Sequence, residues 1–278
     1  MEEPIRWAEH PRSGGTRVLL IHGLGSSAED WLFQMPALNS RYPVTAVDLP
    51  GHGGVPLLPG WPTVADYAQI VASAMETHAA APAHVVGLSL GGAVALQLAL
   101  DSPAYVRSLS LINTFGRFRL TTHAWLRGAV RLALVVAGRM DWLGAWVAAG
   151  LFPRPDQALL REAAAARIAG NPRRGYLQSL MATARFDVGP RLGEITLPTL
   201  VVAGTRDTTV PTAAGRNLAT RIPGARFFLL EGAGHVASVD AADDLNAVLL
   251  SFLRDVDLRT GGGYSPPAEA RVASTSRV

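Results

Sequence analysis

Cysteine is absent from the 278 residues, which excludes disulfides, thiolate nucleophiles and zinc–thiolate sites. Lysine is absent as well, so all 25 basic side chains are arginines, set against 22 acidic ones for a net charge of +3. These arginines are scattered along the chain rather than clustered with interleaved aromatics, which argues against a nucleic-acid surface. Long uncharged apolar runs are also missing. The most apolar stretch, residues 125–152, is broken by Arg127, Arg131, Arg139 and Asp141 and falls short of the roughly 18 residues that a membrane-spanning helix requires. The opening Met1-Glu2-Glu3-Pro4 is acidic and does not begin a basic-then-apolar leader. The expectation is a soluble, cytoplasmic protein with no transmembrane segment and no nucleic-acid partner. Its oligomeric state is not legible.

Hydrophobic residues make up 49% of the chain and charged ones 17%, enough apolar material for one sizeable core. Short apolar runs alternate with helical patterns, the signature of an α/β fold: a mostly parallel twisted sheet with helices on both faces. Buried strands are expected over residues 17–21, 43–48, 84–88, 106–113, 199–203 and 226–230, with an antiparallel edge strand over 5–9. Helices are expected over 64–78, 91–100 and 242–253. Residues 115–193 break this rhythm with Ala-, Leu- and Arg-rich helical text, divided by Pro153, Pro155, Gly170-Asn171-Pro172 and Gly189-Pro190. This divides the chain into a core (1–114 and 194–258), a helical insertion after one of the later strands (115–193) and a terminal segment (259–278) expected to be disordered.

Three strand ends carry chemistry. Gly87-Leu88-Ser89-Leu90-Gly91 follows an apolar strand and opens a helix; a serine in that turn is lifted clear of the sheet on strained backbone, with helix amides pointing at it. The pentapeptide alone is weak, and an inert serine in a glycine-rich turn is the competing reading. A serine hydroxyl needs a base, and His235 lies just past a late strand in Glu231-Gly232-Ala233-Gly234-His235. Asp207, at the end of Val201-Val202-Ala203-Gly204-Thr205-Arg206-Asp207, would accept from the imidazole and fix its tautomer; otherwise it caps the helix after Pro211. Asp240, Asp243 and Asp244 read as caps of the last helix. An acyl-transfer site also needs amide donors for the oxyanion, and the backbone N–H groups of Leu24 and Leu90 are the candidates. His22 and His52 read as loop-holding residues.

Taken in order, His22-Gly23-Leu24-Gly25, Asp48-Leu49-Pro50-Gly51-His52-Gly53, Gly87 to Gly92, Gly204 to Asp207 with Val210-Pro211, and Gly232 to His235 resemble the α/β-hydrolase superfamily. Within it they are most similar to the group of carboxylesterases, 3-oxoadipate enol-lactonases and cofactor-free haloperoxidases. Serine at position 89 sets the chain apart from the dehalogenases and epoxide hydrolases, which use aspartate there. The resemblance implies that the insertion is a helical cap and that no metal or organic cofactor is needed. The expected activity is hydrolysis of a small-to-medium hydrophobic ester through an acyl-enzyme, with Trp125, Trp142 and Trp146, along with Phe115, Phe118 and Phe152, lining the substrate pocket. Two alternatives stay open. One is an enol-lactonase or related hydrolase whose carboxylated substrate meets Arg117, Arg119 or Arg127; the other is a slow-turnover ligand sensor on the same fold.

Overall fold

A computed structural model of the chain describes residues 5–10, 14–117 and 122–260, leaving the side chains of His10, residues 122–125 and Thr260 outside the described set. Among the described residues seven strands form one sheet in the order β1-β3-β2-β4-β5-β6-β7: β1 (Arg6–His10), β2 (Val18–Ile21), β3 (Val44–Asp48), β4 (Ala83–Leu88), β5 (Val106–Ile112), β6 (Thr199–Gly204) and β7 (Arg226–Leu230). Only β1 is antiparallel, pairing Arg6 with Asp48 and His10 with Val44 at the β3 edge. The helices are α1 (Gln34–Asn39), α2 (Val64–Thr77), α3 (Leu90–Asp101), α4 (Thr122–Val136), α5 (Met140–Leu151), α6 (Ala158–Ala169), α7 (Arg173–Arg185), α8 (Thr212–Arg221), α9 (Ala237–Asp240) and α10 (Ala242–Thr260).

The parallel strands read as unbroken apolar runs because both of their faces are covered. Leu19, Ile21, Val85, Leu109, Leu111 and Val201 point to a core shared with α2, α3 and α8. Their neighbours Val18, Leu20, Val86, Ile112 and Val202 point to a second core shared with α1 and α10, as the two-residue side-chain period of a strand requires. Between β5 and β6 the chain leaves the body to form α4 to α7, which have a small core of their own around Val135, Leu143, Val147, Ile168 and Tyr176. The stem of this insertion is closed by a bridge between Arg117 and Asp187 and by the Val188 amide donating to the Gly116 carbonyl at 2.8 Å.

Most expected boundaries hold to within a residue, and two shifts have a visible cause. The last helix runs to Thr260 rather than stopping at 253, because Val256 and Asp257 are both buried and Asp257 reaches His84 at 3.2 Å. Arg259 therefore belongs to α10, and of the terminal segment residues 261–278 lie outside the described residues. Strand β5 ends at Ile112, since Asn113 turns into the left-handed region with φ +46°. No helix among the described residues is long and apolar enough to cross a membrane.

Candidate active site

The parallel strands deliver their carboxyl ends to one edge of the sheet, where open α/β folds place their sites. At the end of β4, Ser89 adopts φ +53° and ψ −114°, a region that a side-chain-bearing residue enters only under strain of about 1–3 kcal/mol. The surrounding packing imposes that turn. A Cβ on Gly87 would collide with the Gly91 carbonyl and approach the Gly92 nitrogen to 2.6 Å, and one on Gly91 would collide with the Ile21 carbonyl. Helix α3 thus lies against β2 and β4 more closely than any side chain permits. Ala93 donates to the Ser89 carbonyl at 3.1 Å, which leaves the Leu90 amide in the unsatisfied first turn of the helix.

Beside this turn runs the loop after β2. Gly23 sits so close that an added Cβ would stand 3.5 Å from the Ser89 Cβ, and Leu24, Ser89 and Leu90 share one wall of a cavity of about 1170 Å³. Among the described residues neither the Leu24 nor the Leu90 amide donates to a protein group. His22 holds the loop from below. The Leu49 amide donates to its Nε2 at 3.0 Å, so the proton sits on Nδ1 and is directed at the Gly23 carbonyl, 2.7 Å away. Full burial lowers its pKa to about 4, and burial lowers that of His52, whose ring centre is 5.1 Å from that of His22, to about 3. Both imidazoles hold the loop, as read from the sequence, and their burial keeps them neutral.

Asp207 and His235 meet. Nδ1 of His235 lies 2.7 Å from Oδ2 of Asp207, whose side chain is fully buried. The other carboxylate oxygen accepts the amides of Thr209 and Val210 at 2.7 and 2.9 Å. Asp207 therefore binds the imidazole and caps its own turn at once, rather than capping α8. With its carboxylate held by three donors, Nδ1 of His235 carries a proton and Nε2 is left as an acceptor.

The serine and histidine loops are joined through three consecutive residues at the end of β5. Ser89 donates its amide to the Ile112 carbonyl at 3.0 Å, and the Thr114 hydroxyl donates to the Ser89 carbonyl at 2.7 Å. Between them, Asn113 donates to the carbonyls of Gly234 and His235 at 2.9 and 2.8 Å and accepts the Gly204 amide at 2.8 Å. The sequence reading missed Asn113, and it took Asp240 for a cap of the last helix, whereas Oδ2 of Asp240 accepts the Gly234 amide at 2.9 Å and its Oδ1 has no partner among the described residues.

The matching family carries the description alpha/beta hydrolase fold, and it covers residues 16–242. The chain belongs to this family. Among α/β-hydrolase relatives, the "Putative carbamate hydrolase RutD" of Variovorax paradoxus is 35% identical over 91% of this chain and 97% of its own length. The dihydrolipoyllysine-residue acetyltransferase component of the acetoin cleaving system of Pseudomonas putida is 31% identical over 90% of this chain, which spans 66% of that relative, just under two thirds of its length. The crystal structure of the enol-lactonase from Burkholderia xenovorans superposes with a TM-score of 0.83 at 26% identity, covering 90% of this chain and 96% of the lactonase.

Two of the expected tryptophans stand away from the cavity. Trp142 is 59% exposed with the Arg139 guanidinium 4.1 Å over its ring, and neither it nor Trp146 lines the cavity. Helix α5 turns Leu143, Gly144, Val147 and Ala148 inward instead, because a Cβ on Gly144 would collide with the Ala165 carbonyl and only that face lets α6 approach so closely. The side chain of Trp125, along with Phe118 and Arg119, lies outside the described residues. Of the expected aromatics Phe115 lines the cavity and is joined there by Leu180, Met181 and Val210, while Phe152 is buried elsewhere.

Proposed function

We propose that the protein is a serine hydrolase that opens carboxylic esters through an acyl-enzyme intermediate, with Ser89 as nucleophile, His235 as base and Asp207 orienting the base. The observation that carries this reading is the Asp207–His235 hydrogen bond of 2.7 Å, anchored through Asn113 to the strand end that also holds Ser89 in its left-handed turn. Nε2 of His235 takes the Ser89 proton as Oγ attacks the carbonyl carbon. The amides of Leu24 and Leu90 hold the resulting oxyanion, each worth about 3 kcal/mol in the transition state. Collapse of the tetrahedral species breaks the carbon–oxygen bond, and the departing alkoxide takes its proton from Nε2. Water, deprotonated by the same nitrogen, then attacks the acyl-enzyme and frees the acid and Ser89. Lactones and carbamates, the substrates named for the lactonase and RutD relatives, offer the same electrophilic carbonyl to such a serine.

The insertion acts as a cap, closing the cavity above Ser89 with α4 and α7. Leu24, Phe115, Leu180, Met181 and Val210 give the chamber apolar walls suited to a small or medium acyl chain. A fluorophosphonate should label Ser89 and no other residue. Ser89→Ala should stay folded and lose on the order of 10⁴-fold or more in kcat on 4-nitrophenyl butyrate; hydrolysis by that variant at a comparable rate would refute the assignment.

A further inference from the structure

Among the described residues four arginines and one aspartate line the cavity, an imbalance the overall charge of the chain does not predict. Arg117 is accounted for by Asp187, at 3.3 Å. Arg127 and Arg131 are not. They lie four residues apart on α4 and so share one face, and both line the cavity. Two like charges at this spacing repel each other, and here neither has a carboxylate partner among the described residues.

Arg127 donates to the Thr208 carbonyl at 3.0 Å and lies over Trp146 at 5.7 Å, both uncharged partners. Arg131 has a buried Nε with no hydrogen-bond partner. Burial, followed by the charge of Arg131, lowers the pKa of Arg127, and the carboxylate that acts in the opposite direction is Asp207. That carboxylate is already committed to His235, Thr209 and Val210. Exposed, unpaired arginines are ordinary in a chain whose basic residues are all arginine, but a pair turned into a chamber, with a donor left orphaned, lacks an anion.

We propose that Arg127 and Arg131 form an anion subsite in the roof of the chamber, and that it receives a carboxylate carried by the substrate, so that esters or lactones of carboxylated acyl groups are preferred over neutral ones. This inference rests on the serine hydrolase reading of the same cavity. The guanidinium fork matches a carboxylate, and a charge-assisted bond in a chamber with apolar walls is stronger than one in water. Binding the far end of the substrate in the roof leaves the ester carbonyl free to reach Ser89 on the floor.

The test compares mono-4-nitrophenyl adipate with 4-nitrophenyl heptanoate, which has a similar length and no charge. The wild-type protein should favour the adipate by at least about tenfold in kcat/KM, mainly through KM, and Arg127→Gln/Arg131→Gln should collapse the ratio of the two substrates by a similar factor. A ratio near one in the wild type, or one that the double variant leaves unchanged, overturns the proposal. Binding is read separately in Ser89→Ala, where monomethyl adipate should raise Tm and should cease to do so once both arginines are replaced. If neither ester is split yet that shift appears and disappears as stated, the subsite stands and the hydrolase reading falls. If the esters are split but no shift occurs, the subsite falls alone.

Discussion

His22 and His52 stand side by side under the loop after β2, buried completely, with pKa values of about 4 and about 3 against 6.5 for the free side chain. Neutral imidazole is a structural requirement there. Nε2 of His22 must stay unprotonated to accept the Leu49 amide, and Nε2 of His52 is buried with no hydrogen-bond partner. Linkage fixes the sign of the consequence: below 6.5 the unfolded chain binds protons that the folded chain refuses, so stability is full above that pH and falls as the pH drops toward 4. Each imidazole should contribute a loss of about 2 kcal/mol between pH 7 and pH 5. Asp30 and Asp240, whose pKa values burial raises, pull the other way; a comparison of two variants removes their share. His52→Gln should therefore lose about 2 kcal/mol less than the wild type over that interval in urea denaturation. Parallel pH dependence in the two proteins would show that the ring at position 52 is not held neutral by its burial.

At the scale of elements, the unit that sets the site is the end of β5, where Ile112, Asn113 and Thr114 hold two loops at once. Asn113 is 2% exposed and takes φ +46°, a conformation asparagine tolerates better than most residues. Removing its amide leaves the Gly204 N–H and the Gly234 and His235 carbonyls without that partner, a loss of about 2–4 kcal/mol in total. Asn113→Gly, which keeps the backbone conformation, should lower kcat for ester hydrolysis about tenfold or more while KM stays within about threefold, since the histidine loop would drift from its position. Wild-type turnover by that variant would reduce Asn113 to a purely structural role. The strands and the three loops at their ends were legible because their signals are local: apolar runs that stop at glycine, and a serine, an acid and a histidine in order. Asn113 was not, because its partners lie 91 to 122 residues away. Nor was the true end of α10, where Asp257, a charged residue beyond the expected close of the helix at 253, is in fact buried against His84. The inward face of α5 was equally hidden, since leucine, alanine and tryptophan surround that helix with apolar side chains and pattern alone does not choose among them.

The whole molecule is a sheet body gripping a helical insertion at both ends of the cavity. On one side Arg127 donates to Thr208 beside the Asp207 loop. On the other, Asn171 donates to the Gly25 carbonyl at 2.9 Å, Tyr176 fills the space where a Cβ on Gly25 would stand, and Arg167 reaches Asp30 and Glu29 at 2.6 and 2.9 Å. The second grip falls on the loop that carries Leu24, so the insertion both lines the cavity, through α4 and α7, and holds the loop next to Ser89. Arg167 joins the two. Its ion pair with Glu29 is largely exposed and contributes little, whereas Asp30 is mostly enclosed, and Arg167 is the cation that counters the burial raising its pKa. Arg167→Gln should thus cost about 1–2 kcal/mol, more than a surface pair and less than a fully buried one, for a fall in Tm of about 3–6 °C. Because the contact bridges two parts of the molecule, the loss should be local before it is global. Amide exchange should quicken in residues 158–171 and in the loop 23–30, while β4 and β5 keep their protection. If Tm falls and exchange rises evenly over sheet and insertion alike, the insertion is an inseparable part of the body rather than a lid gripped by it.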